Sequence, residues 1–173
     1  MTPYAGLFLH LRVSPLIAAS FIPTMAIGAW RTDWLWSLPI IATTVVFHAF
    51  GLRLLNQSVS ALLGGRPKTM LVEILSVVAV GGTAFGCVAL HGCEAFMWAF
   101  AYRMLGAMPE GVNAMLYSLD AMTTYGQSEI YLLAPWRLMG SLEALDGWIL
   151  FGLTTAFLFN IIQSIWSRHT RSE

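Results

Sequence analysis

Long apolar stretches separated by short polar breaks run through the whole chain, and each is long enough to read as a membrane element. The first, from about residue 13 to 30, contains Pro15 and Pro23. A proline in the first turn of a helix gives up a hydrogen bond that was unmade anyway, whereas one in the middle kinks it. The stretch therefore reads as a kinked membrane helix, or else as an interfacial or re-entrant segment. Trp30, Trp34 and Trp36 around Arg31, Thr32 and Asp33 predict a tight turn in an aromatic belt, with Thr32 or Asp33 capping the next helix. That helix is expected over about 34–55, apolar except for Thr43, Thr44 and His48, and a lone His in such a span is more often packing than a proton relay. Arg53, Asn56, Gln57 and Ser58 mark its exit, and Gly64, Gly65, Arg66, Pro67 and Lys68 form a clear break before the next helix.

A further span is expected over about 69–90, where Gly81, Gly82 and Gly86 would let another helix approach closely. Residues 91–108 mix polar breaks with bulky aromatics and read as a surface segment; His91, Cys93 and Glu94 in it are read as membrane-edge chemistry in preference to a ligand cluster. The last span is expected over about 136–166, which at about 1.5 Å per residue exceeds a bilayer core.

Composition sharpens this picture. Of 173 residues, 57% are hydrophobic and 10% charged, with a mean hydropathy of +0.69. Soluble domains carry roughly 25% charged residues, so the class is an all-α integral membrane protein with three to four transmembrane helices and no soluble regulatory domain. Nine basic and nine acidic residues cancel, which leaves no case for a nucleic-acid partner on bulk charge. Cys87 and Cys93 lack the spacing of a zinc site and read as small apolar fillers. The first residues, MTPYAGLFLHLR, carry no signature of a cleaved signal peptide.

The stretch Ser118 to Ser128, SLDAMTTYGQS, does not fit a simple span. It follows a short candidate helix opened by Pro109 and Glu110 and precedes the last apolar segment. Thr123, Thr124, Gly126, Gln127 and Ser128 are poor choices against lipid, where unpaired polar groups cost several kcal/mol each. They make sense lining a watery path, as in a pore loop.

From about Pro109 to Ile165 the chain resembles the pore domain of bacterial two-transmembrane potassium channels. The residues that carry the resemblance are LYSLDAMTTYGQSE from Leu116 to Glu129, beside the family's WWSVETATTVGYGD, and an inner-helix block of Trp136, Arg137, Leu138, Gly147 and Phe151 to Ala156. The apolar runs give an N-terminal pair of membrane helices and a basic cytoplasmic loop in residues 1–68, and with the resemblance the remainder, 69–173, is expected to be a pore domain. Within the latter it implies an outer helix (69–90), an extracellular segment (91–108), a pore helix (109–122), a filter (123–128) and an inner helix (136–166). Four copies would close around one axis, because a single loop cannot enclose a path.

The resemblance breaks at the filter, where Tyr125, Gln127 and Ser128 replace the family's valine, tyrosine and second glycine. The monovalent cation, K+ and/or Na+, is then expected at the Thr124, Tyr125 and Gly126 carbonyls, in a shorter or wider filter with weak or altered K+ selectivity. The same resemblance assigns Asp120 to filter support and Glu129 to the outer mouth, Gly147 to a hinge, and Trp148, Phe151 and Thr155 to the cavity and gate. No cofactor and no enzymatic activity is implied. The alternative is a pore-loop fold that does not conduct and serves as a sensor or complex partner.

Glu143 and Asp146 lie three residues apart, hence on one helix face, with Asp146 about 15 Å into the membrane. Acids at that depth default to a functional reading; Asp146 is either a cation or proton site, or a buried hydrogen-bonding group paired with His48, another basic partner or a protonated carboxyl. On a four-span count, Arg12, Arg53, Arg66, Lys68, Arg168 and Arg171 share one side against Arg31, Arg103 and Arg137. The positive-inside rule then makes the C-terminus cytoplasmic, in what is expected to be a bacterial inner membrane.

Overall fold

A computed structural model describes residues 15–63, 69–108, 111–126 and 130–169. Among these the secondary structure is all helical, with no strand: α1 (Pro15–Leu63), α2 (Thr69–Met104), α3 (Gly111–Thr123), a 3-10 turn (Ala134–Trp136) and α4 (Arg137–His169). Three segments are long and apolar enough to cross a membrane, Trp30–Leu63, Ile74–Met104 and Ala134–Ser167. The chain is a membrane protein by this measure.

Two sequence expectations are corrected. The tight turn around Trp30 to Trp36 does not form, and the two N-terminal helices are one, α1. No glycine or proline stands between Arg31 and Trp36 to break it. Thr32 does not cap a helix start but donates back to the Gly28 carbonyl at 3.1 Å, and Asp33, 3% exposed, accepts from the backbone N–H of Leu138 at the start of α4. It caps a different helix from the one expected.

Likewise, 91–108 is not a surface segment, because α2 continues to Met104. Phe96, Phe100 and Met104 point outward, whereas Glu94, Trp98 and Tyr102 are fully buried. A stretch of mixed polarity is thus a helix with two faces. Gly106, at φ +64°, ends it, with Gly106 N–H donating to Arg103 O at 3.1 Å and Ala107 N–H to Tyr102 O at 2.8 Å.

Side-chain pairs fix the helix directions. Leu90 fills the space beside Gly51 and Leu55 that beside Gly86, so α1 and α2 are antiparallel. Of the glycines expected to admit a neighbour, Gly86 does so, while Gly81 and Gly82 have open space. Tyr102 meets Glu143 and Trp98 meets Asp146, so α2 and α4 are also antiparallel. α3 lies along α4, Tyr117 against Gly140 and the Met122 backbone against Gly147.

The C-terminal end of α3 therefore stands ten residues along α4, about 15 Å from its start. The chain then returns, and Leu133 N–H donates to Ala107 O at 3.1 Å beside the end of α2. Trp98, Tyr102, Met108, Ala114, Leu132 and Met139 form the main apolar core at that end of the bundle.

A methyl group at Gly147 would run into the Met122 carbonyl and come within 2.9 Å of its Cα, whereas one at Gly152 meets nothing within 4 Å. Gly147→Ala should therefore cost about 1–3 kcal/mol of stability, and Gly152→Ala should be neutral or slightly stabilising. Thermal unfolding of both variants in detergent checks this; equal melting temperatures would refute the contact.

Candidate functional site: a helix-end loop beside a buried polar ladder

α3 ends in a reverse-turn cap. Thr124 N–H donates to Ala121 O at 3.1 Å and Tyr125 N–H to Asp120 O at 3.0 Å, the bond pattern of a helix closed by one left-handed residue. At the end of α2 the same pattern uses Gly106, which adopts positive φ freely. Here the left-handed residue is Thr124, at φ +55°, although a β-branched side chain is strained there.

Gly126 follows at φ +73°, and Tyr125 between them does not have positive φ. The backbone thus alternates in hand over three residues. All of Thr123 to Gly126 are exposed, Tyr125 at 80%. Gln127, Ser128 and Glu129 lie outside the described residues. Asp120 is half-buried on α3, and its Oδ2 has no hydrogen-bond partner among the described residues.

On α4, Trp148, Phe151 and Thr155 are exposed, and Thr155 bonds back to Phe151 O at 2.8 Å. Gly147, assigned by resemblance to a hinge, is buried and gives room to the turn at the end of α3.

Opposite that exposed face lies a ladder of buried polar groups. Glu143, fully buried, accepts from Tyr102 Oη at 2.5 Å and from Ser118, whose hydroxyl also faces Ala95 O at 2.8 Å. One carboxyl thereby joins α2, α3 and α4. Three residues on, Asp146 Oδ2 accepts from Thr44 Oγ1 at 2.7 Å and Trp98 Nε1 at 2.9 Å, joining α1, α2 and α4. Of the readings open for Asp146, hydrogen-bonded pairing is the one with visible partners, and His48 is not among them.

His48 Nδ1 instead stands 2.7 Å from Glu94 Oε1 and His48 Nε2 3.0 Å from Thr154 Oγ1. His91 Nε2 faces the same Thr154 hydroxyl at 3.1 Å, and His91 Nδ1 faces Glu94 Oε2 at 3.1 Å, in a contact less well aligned than that of His48. The edge chemistry assigned to His91 and Glu94 is corrected by this placement, since Glu94 is fully buried. Cys93 is exposed and takes no part.

His48, His91 and Glu94 are of metal-ligating types, with donor atoms within 4.8 Å of one another. Two ligands on one tetrahedral zinc ion, however, stand about 3.3 Å apart, and both contacts to Glu94 are shorter than that.

The partners Thr44, Trp98, Tyr102, Ser118 and Thr154 were not picked out as site residues from the sequence. Their signal was present as spacing: Thr44 and His48 are four apart, as are Glu94 and Trp98, and Trp98 and Tyr102, each pair stacking on one helix face.

No family model, curated protein or solved structure matches this chain.

Replacing Thr124 with Gly removes a side chain from a left-handed position, which costs roughly 1–2 kcal/mol for an L-residue, against some lost backbone entropy. Thr124→Gly should therefore stabilise the protein by about 0.5–1 kcal/mol. A lower melting temperature in the variant would show that the Thr side chain is held in place by more than it strains.

Proposed function

We propose that the protein is a pore-loop cation channel in which four copies bring α3, residues 123–128 and α4 around a common axis. The observation that carries this reading is the Thr124–Gly126 backbone: left-handed at Thr124 and Gly126, not at Tyr125, and exposed at the end of a helix that stops about 15 Å along α4. Alternation of hand turns successive carbonyls toward one side, as a filter that replaces an ion's water shell requires.

A strained residue kept where glycine would be relaxed is the kind of feature that collects at functional sites. Tyr125, Trp148 and Phe151, 80%, 70% and 68% exposed, are not covered by other parts of the chain; a central path flanked by neighbouring copies gives all three a place. The ion sites are the Thr124, Tyr125 and Gly126 carbonyls. With Tyr125 in the chain's filter and one glycine, the selectivity for K+ over Na+ is weak.

Charge supports a cytoplasmic C-terminus. With α1 as a single helix, Arg53 and Arg168 fall toward the end of the bundle where α1 stops, α2 starts and α4 stops, and Arg31, Arg103 and Arg137 fall toward the other. In chain order Arg66 and Lys68 come between α1 and α2 and Arg171 follows α4; these three and Arg12 lie outside the described residues. The excess follows the positive-inside rule.

Purified protein reconstituted in liposomes should pass K+ and Na+ with a reversal potential in mixed ions that favours neither strongly, and Gly126→Ala should reduce the current at least tenfold. Absence of flux over a range of pH and voltage would defeat the channel reading in favour of a non-conducting sensor or complex partner. Unaltered current in Gly126→Ala would remove the loop from the path.

A further inference from the structure

We propose that His48, His91 and Glu94 hold one divalent transition-metal ion, with Thr154 orienting both imidazoles from the far side. Three contacts among the four residues have hydrogen-bond geometry: His48 Nδ1 with Glu94 Oε1 at 2.7 Å, and Thr154 Oγ1 with His48 Nε2 at 3.0 Å and with His91 Nε2 at 3.1 Å. Two neutral imidazoles and one hydroxyl supply the three hydrogens that these need. The first bond takes the hydrogen of His48 Nδ1, so His48 Nε2 accepts from the Thr154 hydroxyl, which in turn accepts from His91 Nε2–H. His91 Nδ1 is then a bare lone pair. It stands 3.1 Å from Glu94 Oε2, which is fully buried and has no hydrogen-bond partner among the described residues.

Two electron-pair donors on one face of α2 thus lie side by side with no hydrogen between them, which is costly away from water. A cation bound to both removes that cost. Their poor alignment rules out a hydrogen bond but suits ligands of one ion, whose lone pairs aim beside each other at a third point about 2.0–2.1 Å from each.

His48 joins them by the shift of one hydrogen. If the Thr154 hydroxyl turns to a carbonyl of the preceding turn, as that of Thr155 does to Phe151 O, both imidazoles can donate Nε2–H to its oxygen, and both Nδ1 lone pairs are free for the ion. No proton is gained or lost. A ligating histidine held through its other N–H is the usual arrangement around a protein-bound metal. Donor atoms from all three residues lie within 4.8 Å of one another. Opening the two contacts to Glu94 to the roughly 3.3 Å between ligands of a tetrahedral ion asks for a few tenths of an ångström at His91 and a little over half an ångström at His48.

Two imidazoles and one carboxylate suit zinc and its neighbours, whereas magnesium and calcium take oxygen ligands. Charge also favours a divalent ion. Asp146, on α4, interacts with Glu94 and has one oxygen without a partner among the described residues; ionised, the two carboxyls carry two negative charges among apolar helices, and a divalent ion cancels both. His91 stands thirteen residues before the end of the span Ile74–Met104, about 20 Å by helix rise, so the ion lies inside the membrane. It joins α1 to α2 directly, and both to α4 through Thr154.

Zinc is the probe. The full chain, made without a polyhistidine tag and carrying H10Q, H169Q and C93S to remove the other histidines and the exposed thiol, should bind one equivalent of zinc per chain in detergent. H91Q and E94Q should each weaken binding at least 100-fold, and T154V, which leaves the ligands in place, about 10–100-fold. Zinc at about 100 times its dissociation constant should raise the melting temperature of the metal-stripped chain by about 5–10 °C and leave that of H91Q unmoved at the same concentration. X-ray absorption should show nitrogen and oxygen neighbours alone at about 2.0–2.2 Å.

No zinc bound, or equal binding in H91Q, would overturn the proposal. So would a sulfur neighbour at about 2.3 Å, which would give the ion to a cysteine. Should E94Q fail to fold, H91Q decides alone, since the His91 side chain is 27% exposed and its exchange for Gln is the milder change. None of these measurements needs ion flux, so a failed flux experiment counts against the channel reading and leaves the metal site standing.

Discussion

Lipid offers no hydrogen bonds, and Glu143, Asp146 and Thr154, placed between these helices, find their partners on other helices. That constraint sets the register of the bundle. Glu143, Asp146 and Thr154 descend one face of α4, and each is met by groups from at least two other elements. Apolar packing alone is tolerant of small slips. A carboxyl that must meet Thr44 and Trp98 together is not, because losing either leaves an unsatisfied group that costs about 1–3 kcal/mol.

The same ladder holds α3 at its depth. Ser118 is fully buried between Ala95 O and Glu143, and Gly147 lets the turn at the end of α3 come within backbone contact of α4. Tied at those two heights, the short helix delivers Thr123 to Gly126 to the outside of the chain, away from the ladder. The strained Thr124 is then bearable, since the cap bonds from Thr124 and Tyr125 back to Ala121 and Asp120 hold its backbone from both sides.

Much of the helical order was legible in the residues. The start of a helix near Thr69, the short helix before the TTYG stretch and the long final helix were all expected, because breaks and apolar length are local properties; the glycines and proline at 64–68 lie outside the described residues. The errors came where a polar cluster was taken for a surface. Arg31, Thr32 and Asp33 between tryptophans look like a turn at a membrane face, and His91, Cys93 and Glu94 look like an edge. In the folded chain Asp33 and Glu94 are inside, Asp33 beside the backbone N–H of Leu138 and Glu94 beside two histidines, one far away in sequence and one on the adjacent turn, with one oxygen of each carboxyl left without a hydrogen bond among the described residues.

What the chain determines by itself is its medium and its helices: apolar runs of sufficient length, few charges, and a polar, glycine-containing stretch that does not belong against lipid. Tertiary structure alone decided which polar residues meet. Hydrogen bonds between helices depend on how the helices are turned and at what height they pack, and neither quantity is written in the spacing along one helix. The depth of Glu94 and the sharing of Thr154 by two imidazoles exist only once α1, α2 and α4 lie side by side.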